Sequence, residues 1–134
     1  MPPNKKSSDA ILLVEPDVLI RTTLGAYLRD CGYVVIEVGD GTEAIAVLKH
    51  YQYAIKAMLT DAKLPGTVDG FSLAQWARNN HPDVKTLIAA SPEKAAGIAG
   101  NLCDAGPLLS KPYAPEIVAD RIRQLLAVRS RGDA

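Results

Sequence analysis

The sequence lacks several features that mark whole classes of protein. It has only two cysteines, Cys31 and Cys103, and their separation fits neither a Cys-x-x-Cys redox motif nor a zinc-ligand spacing. We therefore expect two free thiols that fill small spaces in the core of a cytoplasmic protein. No apolar run approaches the roughly 20 residues of a membrane-spanning helix. The first ten residues, MPPNKKSSDA, contain no apolar segment of the kind that a signal peptide needs.

An excess of either charge is also missing. Lysine and arginine together number 15, aspartate and glutamate also number 15, and the formal net charge is zero. This balance argues against nucleic acid or an anionic membrane as a partner. With 134 residues, of which 48% are hydrophobic and 22% charged, the chain has the size and composition of one compact domain. We expect a disordered tail at 1–9, the folded domain at 10–130 and a short tail at 131–134.

What the sequence does contain is an alternation of short apolar runs with segments of helical periodicity. The first run, AILLV, precedes a segment in which Ile20, Leu24 and Leu28 recur at helical spacing. The predicted strands span 10–14, 33–38, 54–60, 84–90 and 107–110, and the predicted helical segments span 18–32, 39–51, 69–82, 92–106 and 114–130. Five repeats of strand and helix predict an α/β fold with one parallel sheet and helices on both of its faces.

Polar residues follow three of the predicted strands. Ligands of an open parallel sheet bind beyond the carboxyl ends of its strands, where Glu15 and Asp17 follow strand one, Asp61 follows strand three and Lys111 follows strand five. Neighbouring carboxylates repel one another unless a cation lies between them, and Mg²⁺ prefers such oxygen ligands. The pattern favours Asp61 as the acceptor of a phosphoryl group, with metal and lysine neutralising charge. The alternative is an aspartate that only begins the Leu-Pro-Gly turn.

Three stretches carry a resemblance to a known family. ILLVEPDVLIR (11–21), LTDAKLPGTVDGF (59–71) and SKPY (110–113) resemble the receiver domain of two-component response regulators, and the resemblance extends from 10 to 128. It implies the flavodoxin-like doubly wound fold, with five parallel strands in the order 2-1-3-4-5. It also implies a signalling protein rather than an enzyme. Such a domain takes its phosphoryl group from a histidine kinase or phosphotransfer protein and signals through contacts with an output partner protein.

The resemblance also implies the roles of individual residues. Asp61 matches the phosphoryl-accepting aspartate, and Lys111 matches the lysine that pairs with it. Pro112 matches the proline whose preceding peptide bond is usually cis in this family. Glu15 matches the first of two acidic residues that organise Mg²⁺. The backbone carbonyl of Lys63 matches a further metal ligand.

Three positions, Pro16, Ala89 and Leu108, depart from the family pattern. Pro16 stands where the second acidic residue is expected, so we expect a weakened affinity for Mg²⁺. Asp17 does not replace that residue simply, because successive helical positions point about 100° apart; it is either a residue of the helix start or a metal ligand. Ala89 replaces the family's Ser or Thr, unless a shifted register brings Ser91 there. Leu108 replaces the switching aromatic residue.

Two other functions are compatible with these residues. The lost metal and switch positions fit a receiver-like interaction module that works without phosphorylation. A small flavodoxin-like enzyme or cofactor binder is the other alternative, but the sequence has no Walker A motif, no Gly-x-Gly-x-x-Gly motif and no Cys/His nucleophile arrangement. We therefore expect a receiver domain that accepts phosphate on Asp61.

Overall fold

The computed structural model describes residues 9–51, 54–90 and 108–132. The strands are β1 (Ala10–Val14), β2 (Val34–Val38), β3 (Ile55–Asp61), β4 (Lys85–Ala90) and β5 (Leu108–Ser110). The helices are α1 (Val18–Asp30), α2 (Gly41–His50), α3 (Gly70–Asn80) and α4 (Pro115–Gly132). The predicted helix at 92–106, the alternative switch residue Ser91 and most of the predicted tails lie outside the described residues.

The five strands form one parallel sheet in the order β2-β1-β3-β4-β5. This order confirms the predicted flavodoxin-like doubly wound arrangement. All five residues of the interior strand β1 are buried, which explains why that strand appears in the sequence as an unbroken apolar run. Because all the strand pairs are parallel, the carboxyl ends of the strands lie at one edge of the sheet.

Helices cover both faces of the sheet. Ile11 and Leu13 of β1 face a core that is completed by α1 and α4, whereas Leu12 and Val14 face a second core that is completed by α2 and α3. The alternation follows the period of two along a strand. The helices therefore bury their apolar faces on opposite sides, and the ends of the strands remain available for a site.

Three of the helices begin with an aspartate cap. The side chains of Asp17, Asp40 and Asp69 each accept a hydrogen bond from the backbone N–H three residues further on. Helix α3 begins unusually close to β3: a Cβ added at Gly70 would overlap the carbonyl oxygen of Asp61 and lie 2.7 Å from the Cα of Ala62. Only glycine allows this approach, so α3 begins directly against the end of the central strand.

Three details differ from the sequence expectations. Asp61 is the last residue of β3 rather than the first residue after it. Helix α4 extends to Gly132, two residues into the predicted C-terminal tail. The expectation of a core position was wrong for Cys31, which is exposed. Cys31 is the C-cap of α1, and Gly32 at φ +104° ends the helix before β2 begins; Cys103 lies outside the described residues.

Candidate functional site

Glu15 follows β1 and is almost fully buried, with 3% of its surface exposed. Its N–H donates to the carbonyl of Val38 on β2 at 3.0 Å, and its Oε2 accepts from the N–H of Asp17 at 3.0 Å. Burial raises the pKa of the Glu15 carboxyl, although the hydrogen bond from Asp17 and the charge of Lys111 act in the opposite direction. The carboxylate is thus held at the carboxyl edge of the sheet by backbone and charge contacts.

Asp61 lies at the same edge, in the adjacent strand. Its Oδ1 accepts from the N–H of Lys63 at 3.2 Å, and its Oδ2 accepts from Nζ of Lys111 at 2.8 Å. The side chain is 12% exposed. Each oxygen therefore has one donor and retains a lone pair for a further partner.

Lys111 connects the two carboxylates. Its N–H donates to the carbonyl of Ala90 at 2.8 Å, which fixes the backbone after β5, and its Nζ lies 2.8 Å from Asp61 and 3.6 Å from Glu15. Burial lowers the pKa of Lys111, but the hydrogen bond and charge of Asp61 and the charge of Glu15 raise it more, so the net shift is upward. The ammonium group is therefore charged at neutral pH. The peptide bond between Lys111 and Pro112 is cis.

The structure brings Glu15, Asp61 and Lys111 together but uses the neighbouring predicted residues differently. The Oδ1 of Asp17 accepts from the N–H of Ile20 at 3.0 Å, so this carboxylate caps α1. Pro16, between Glu15 and the cap, contributes no side-chain oxygen.

The two predicted switch positions lie on β4 and β5. Ala89 is buried and pairs in register with Asp61, and its carbonyl accepts from the N–H of Ala62 at 2.8 Å. It therefore lies beside Asp61, and its methyl group carries no hydroxyl. Leu108 is the first residue of β5 and pairs with Ile88, while its side chain falls outside the described part of the chain.

Two residues near the site were assigned no role in it by the sequence reasoning. Arg21 donates from Nη1 to the carbonyl of Glu15 at 2.9 Å. Tyr113 packs against the core that lies under α1 and α4. Burial raises the pKa of its phenol, and the negative charges of Glu15 and Asp61 raise it further, so Tyr113 stays neutral. A basic residue six positions after an acidic strand end was the only sequence signal for Arg21.

The comparisons with known proteins decide the family. A family model described as the response regulator receiver domain matches residues 11–123. The chain belongs to this receiver-domain family. It is therefore a signal-transduction domain of the two-component type, in which phosphorylation is the standard signal.

Curated relatives of this receiver domain include longer regulators. The transcriptional regulatory protein AruR of Pseudomonas aeruginosa is 31% identical over 119 residues, a match that covers 87% of this chain and 48% of AruR. The transcriptional regulatory protein QseB of Haemophilus influenzae is 34% identical over 123 residues, with 89% of this chain and 53% of QseB covered. The chain thus spans about half the length of the curated relatives it matches.

Solved receiver structures share the fold. A receiver domain protein from Clostridium thermocellum matches with a TM-score of 0.81 at 18% identity, covering 91% of this chain and 97% of that one, and shows the fold alone. A response regulator receiver protein from Sinorhizobium medicae matches with a TM-score of 0.80 at 28% identity, covering 90% and 95%.

None of the helices in 9–51, 54–90 and 108–132 is long and apolar enough to cross a membrane. Within the same ranges, no group of three or more His, Cys, Asp or Glu side chains is arranged to hold a metal ion.

Proposed function

We propose that Asp61 accepts a phosphoryl group from a phosphohistidine of a histidine kinase or phosphotransfer protein. The observation that carries the proposal is the position of Lys111: its Nζ lies 2.8 Å from Asp61 and 3.6 Å from Glu15, although 50 residues separate the lysine from the aspartate. A turn aspartate needs no such partner. Membership of the receiver family supports the same role.

The transfer needs little chemistry from the protein beyond position and charge. A carboxylate oxygen of Asp61 bonds to phosphorus while the N–P bond of the phosphohistidine breaks, and the imidazole leaves with the electron pair of that bond. The N–H of Lys63 and the ammonium of Lys111 hold the acceptor carboxylate in place. Lys111 also supplies positive charge where the negative charge of the phosphoryl oxygens accumulates.

The donor set fits Mg²⁺, which receiver domains typically bind at an acidic pocket. The carboxylates of Glu15 and Asp61 and the backbone carbonyl of Lys63 are hard oxygen ligands, and Mg²⁺ keeps several waters as its remaining ligands. When bound, the metal would neutralise charge on the phosphoryl oxygens. We leave Asp17 out of this set because its carboxylate caps α1. Pro16 removes one ligand, so we propose a weaker site than a second carboxylate would give.

Signalling by this domain is proposed to occur through contacts with an output partner protein. The zero formal net charge disfavours nucleic acid and anionic membranes as direct partners. We place the domain in the cytoplasm and assign it a signalling role without enzymatic turnover. The domain boundaries are proposed at 10 and 130.

Phosphorylation by acetyl phosphate tests the proposal. The protein is incubated with the donor, with and without Mg²⁺, and its intact mass is measured. We expect the mass to rise by one phosphoryl group in the presence of Mg²⁺, and Asp61→Asn to abolish the gain. Asp69→Asn is the matched control, because it changes a carboxylate in the same loop but retains a side chain that caps α3. A gain that survives Asp61→Asn, or no gain with any metal, would contradict the proposal.

A further inference from the structure

The acidic residue Glu15 is held by more contacts than its own strand provides. Its N–H contacts β2 through the carbonyl of Val38, its carboxylate accepts from Asp17, and its carbonyl accepts from Nη1 of Arg21 at 2.9 Å. Arg21 lies on α1, six residues further along the chain. The helix therefore contacts the residue that supplies one of the two side-chain carboxylates of the proposed metal site.

Arg21 also forms an ion pair with Glu37 of β2. Its Nε lies 3.8 Å from Oε1 of Glu37, whose Oε2 lies 2.7 Å from Nη1 of Arg29. Arg29 also donates from Nη2 to the carbonyl of Val35 at 2.9 Å. The side chains of Arg21 and Glu37 are 21% and 17% exposed, so this pair is only partly screened by water.

Two glycines leave the space that these side chains occupy. A Cβ at position 25 would lie 2.9 Å from Cδ of Glu37, and a Cβ at position 39 would lie 3.2 Å from Nη1 of Arg21. Ordinary side chains at Gly25 and Gly39 would displace the carboxylate or the guanidinium. Glycine at these two positions thus leaves room for the network of Arg21, Glu37 and Arg29.

From this network we infer that Arg21 is a positioning residue for the metal ligand Glu15; the inference rests on the proposed function for the role of Glu15. Pro16 gives the loop neither an N–H nor a carboxylate. The position of Glu15 therefore depends on its own partners, and Arg21 is the partner that connects its backbone to Glu37. Partners of this kind orient metal ligands without touching the metal.

A magnesium titration of the unphosphorylated protein tests the inference. We compare Arg21→Gln with Arg29→Gln by calorimetry: each removes one guanidinium from α1 and one partner of Glu37, but only Arg21 contacts Glu15. Loss of a supporting contact typically weakens metal affinity 10- to 100-fold, and we expect about tenfold for Arg21→Gln. Because Arg29 does not contact Glu15, we expect the Mg²⁺ affinity of Arg29→Gln to fall by less than about twofold. Arg21→Lys keeps the positive charge on a single nitrogen, so its Mg²⁺ affinity should lie between those of wild type and Arg21→Gln.

Stability in EDTA separates positioning from folding. Both glutamine variants break a contact with Glu37, so we expect similar losses in urea unfolding. Equal losses of Mg²⁺ affinity in the two variants, an unchanged affinity in Arg21→Gln, or no Mg²⁺ binding by the wild-type protein would each overturn the inference. Phosphorylation of Asp61 is measured separately. Its absence, together with an Arg21-dependent Mg²⁺ affinity, would refute the proposed function and uphold the positioning role.

Discussion

Replacing Lys111 by methionine tests the electrostatics of the site. The change removes the ammonium group that lies 2.8 Å from Asp61 and 3.6 Å from Glu15, and it leaves two carboxylates facing each other without a cation. Removing one member of a buried ion pair destabilises a protein by about 3–5 kcal/mol. The lysine side chain is 23% exposed, and solvent screening reduces our expectation to about 2 kcal/mol at pH 8.

The stability lost in Lys111→Met should depend on pH because of the carboxyl group of Glu15. Its pKa is already raised above the ordinary 4.5, so the folded state holds this proton more tightly than the unfolded state. The stability gained in this way is present at low pH and is lost as the pH rises through the folded-state pKa. Lys111 opposes the upward shift. Its removal raises the pKa of Glu15 further, so the Lys111→Met protein should lose more stability than wild type between pH 5 and pH 8.

The assay is urea unfolding in EDTA at both pH values, followed through the fluorescence of the single tryptophan, Trp76. We expect the difference between wild type and Lys111→Met to be about 2 kcal/mol at pH 8 and about 1 kcal/mol or less at pH 5. Lys49→Met removes an exposed lysine of α2 and is the control, with a change near zero at either pH. A loss that is the same at both pH values would refute the assignment to Glu15.

Three further predictions concern the ends of β1 and β3. Pro16→Asp should raise Mg²⁺ affinity about tenfold, because it restores an oxygen ligand, whereas Pro16→Ala should not; calorimetry that finds both variants alike would count against the site. Asp17→Ala should cost about 1 kcal/mol in urea unfolding by removing the cap of α1 and leave Mg²⁺ affinity unchanged, and Asp17→Asn should restore the stability. Gly70→Ala should destabilise more than Gly66→Ala, because a Cβ at 70 overlaps the end of β3, whereas alanine at 66 has only the strain of an L-residue at φ +88° and its Cβ has nothing within 4 Å; equal unfolding midpoints would disprove this packing.

Much of the fold follows from local patterns. The buried strand β1 produces an apolar run that its composition alone reveals, and the alternation with helical segments determines the fold class. The strand order does not follow from periodicity, because every order of parallel strands satisfies it; here the order came from the resemblance to receiver domains. Cys31 shows a further limit: its exposure depends on where α1 ends, and element ends are the least certain part of a sequence prediction.

The site was predictable to the extent that topology places it. Glu15, Asp61 and Lys111 lie at the carboxyl ends of three parallel strands, which share one edge of the sheet, so their position at that edge was expected. The hydrogen bond from Arg21 to the carbonyl of Glu15 could not be predicted from the sequence, because it depends on how α1 packs against β2. The space beside Gly25 that the carboxylate of Glu37 occupies likewise depends on the packing of α1 against β2.

The fold holds the two sides of the site differently: β3 is packed against α3, and β5 lies at the border of the sheet. Because Gly70 lies against the backbone of Asp61, the start of α3 is packed directly on the end of β3. Lys111 instead follows a strand of three residues at the border of the sheet, where few ladder bonds resist displacement. We expect hydrogen exchange to change on phosphorylation in 108–113 more than in 57–74, although position 89 has no hydroxyl and position 108 no ring to carry the change.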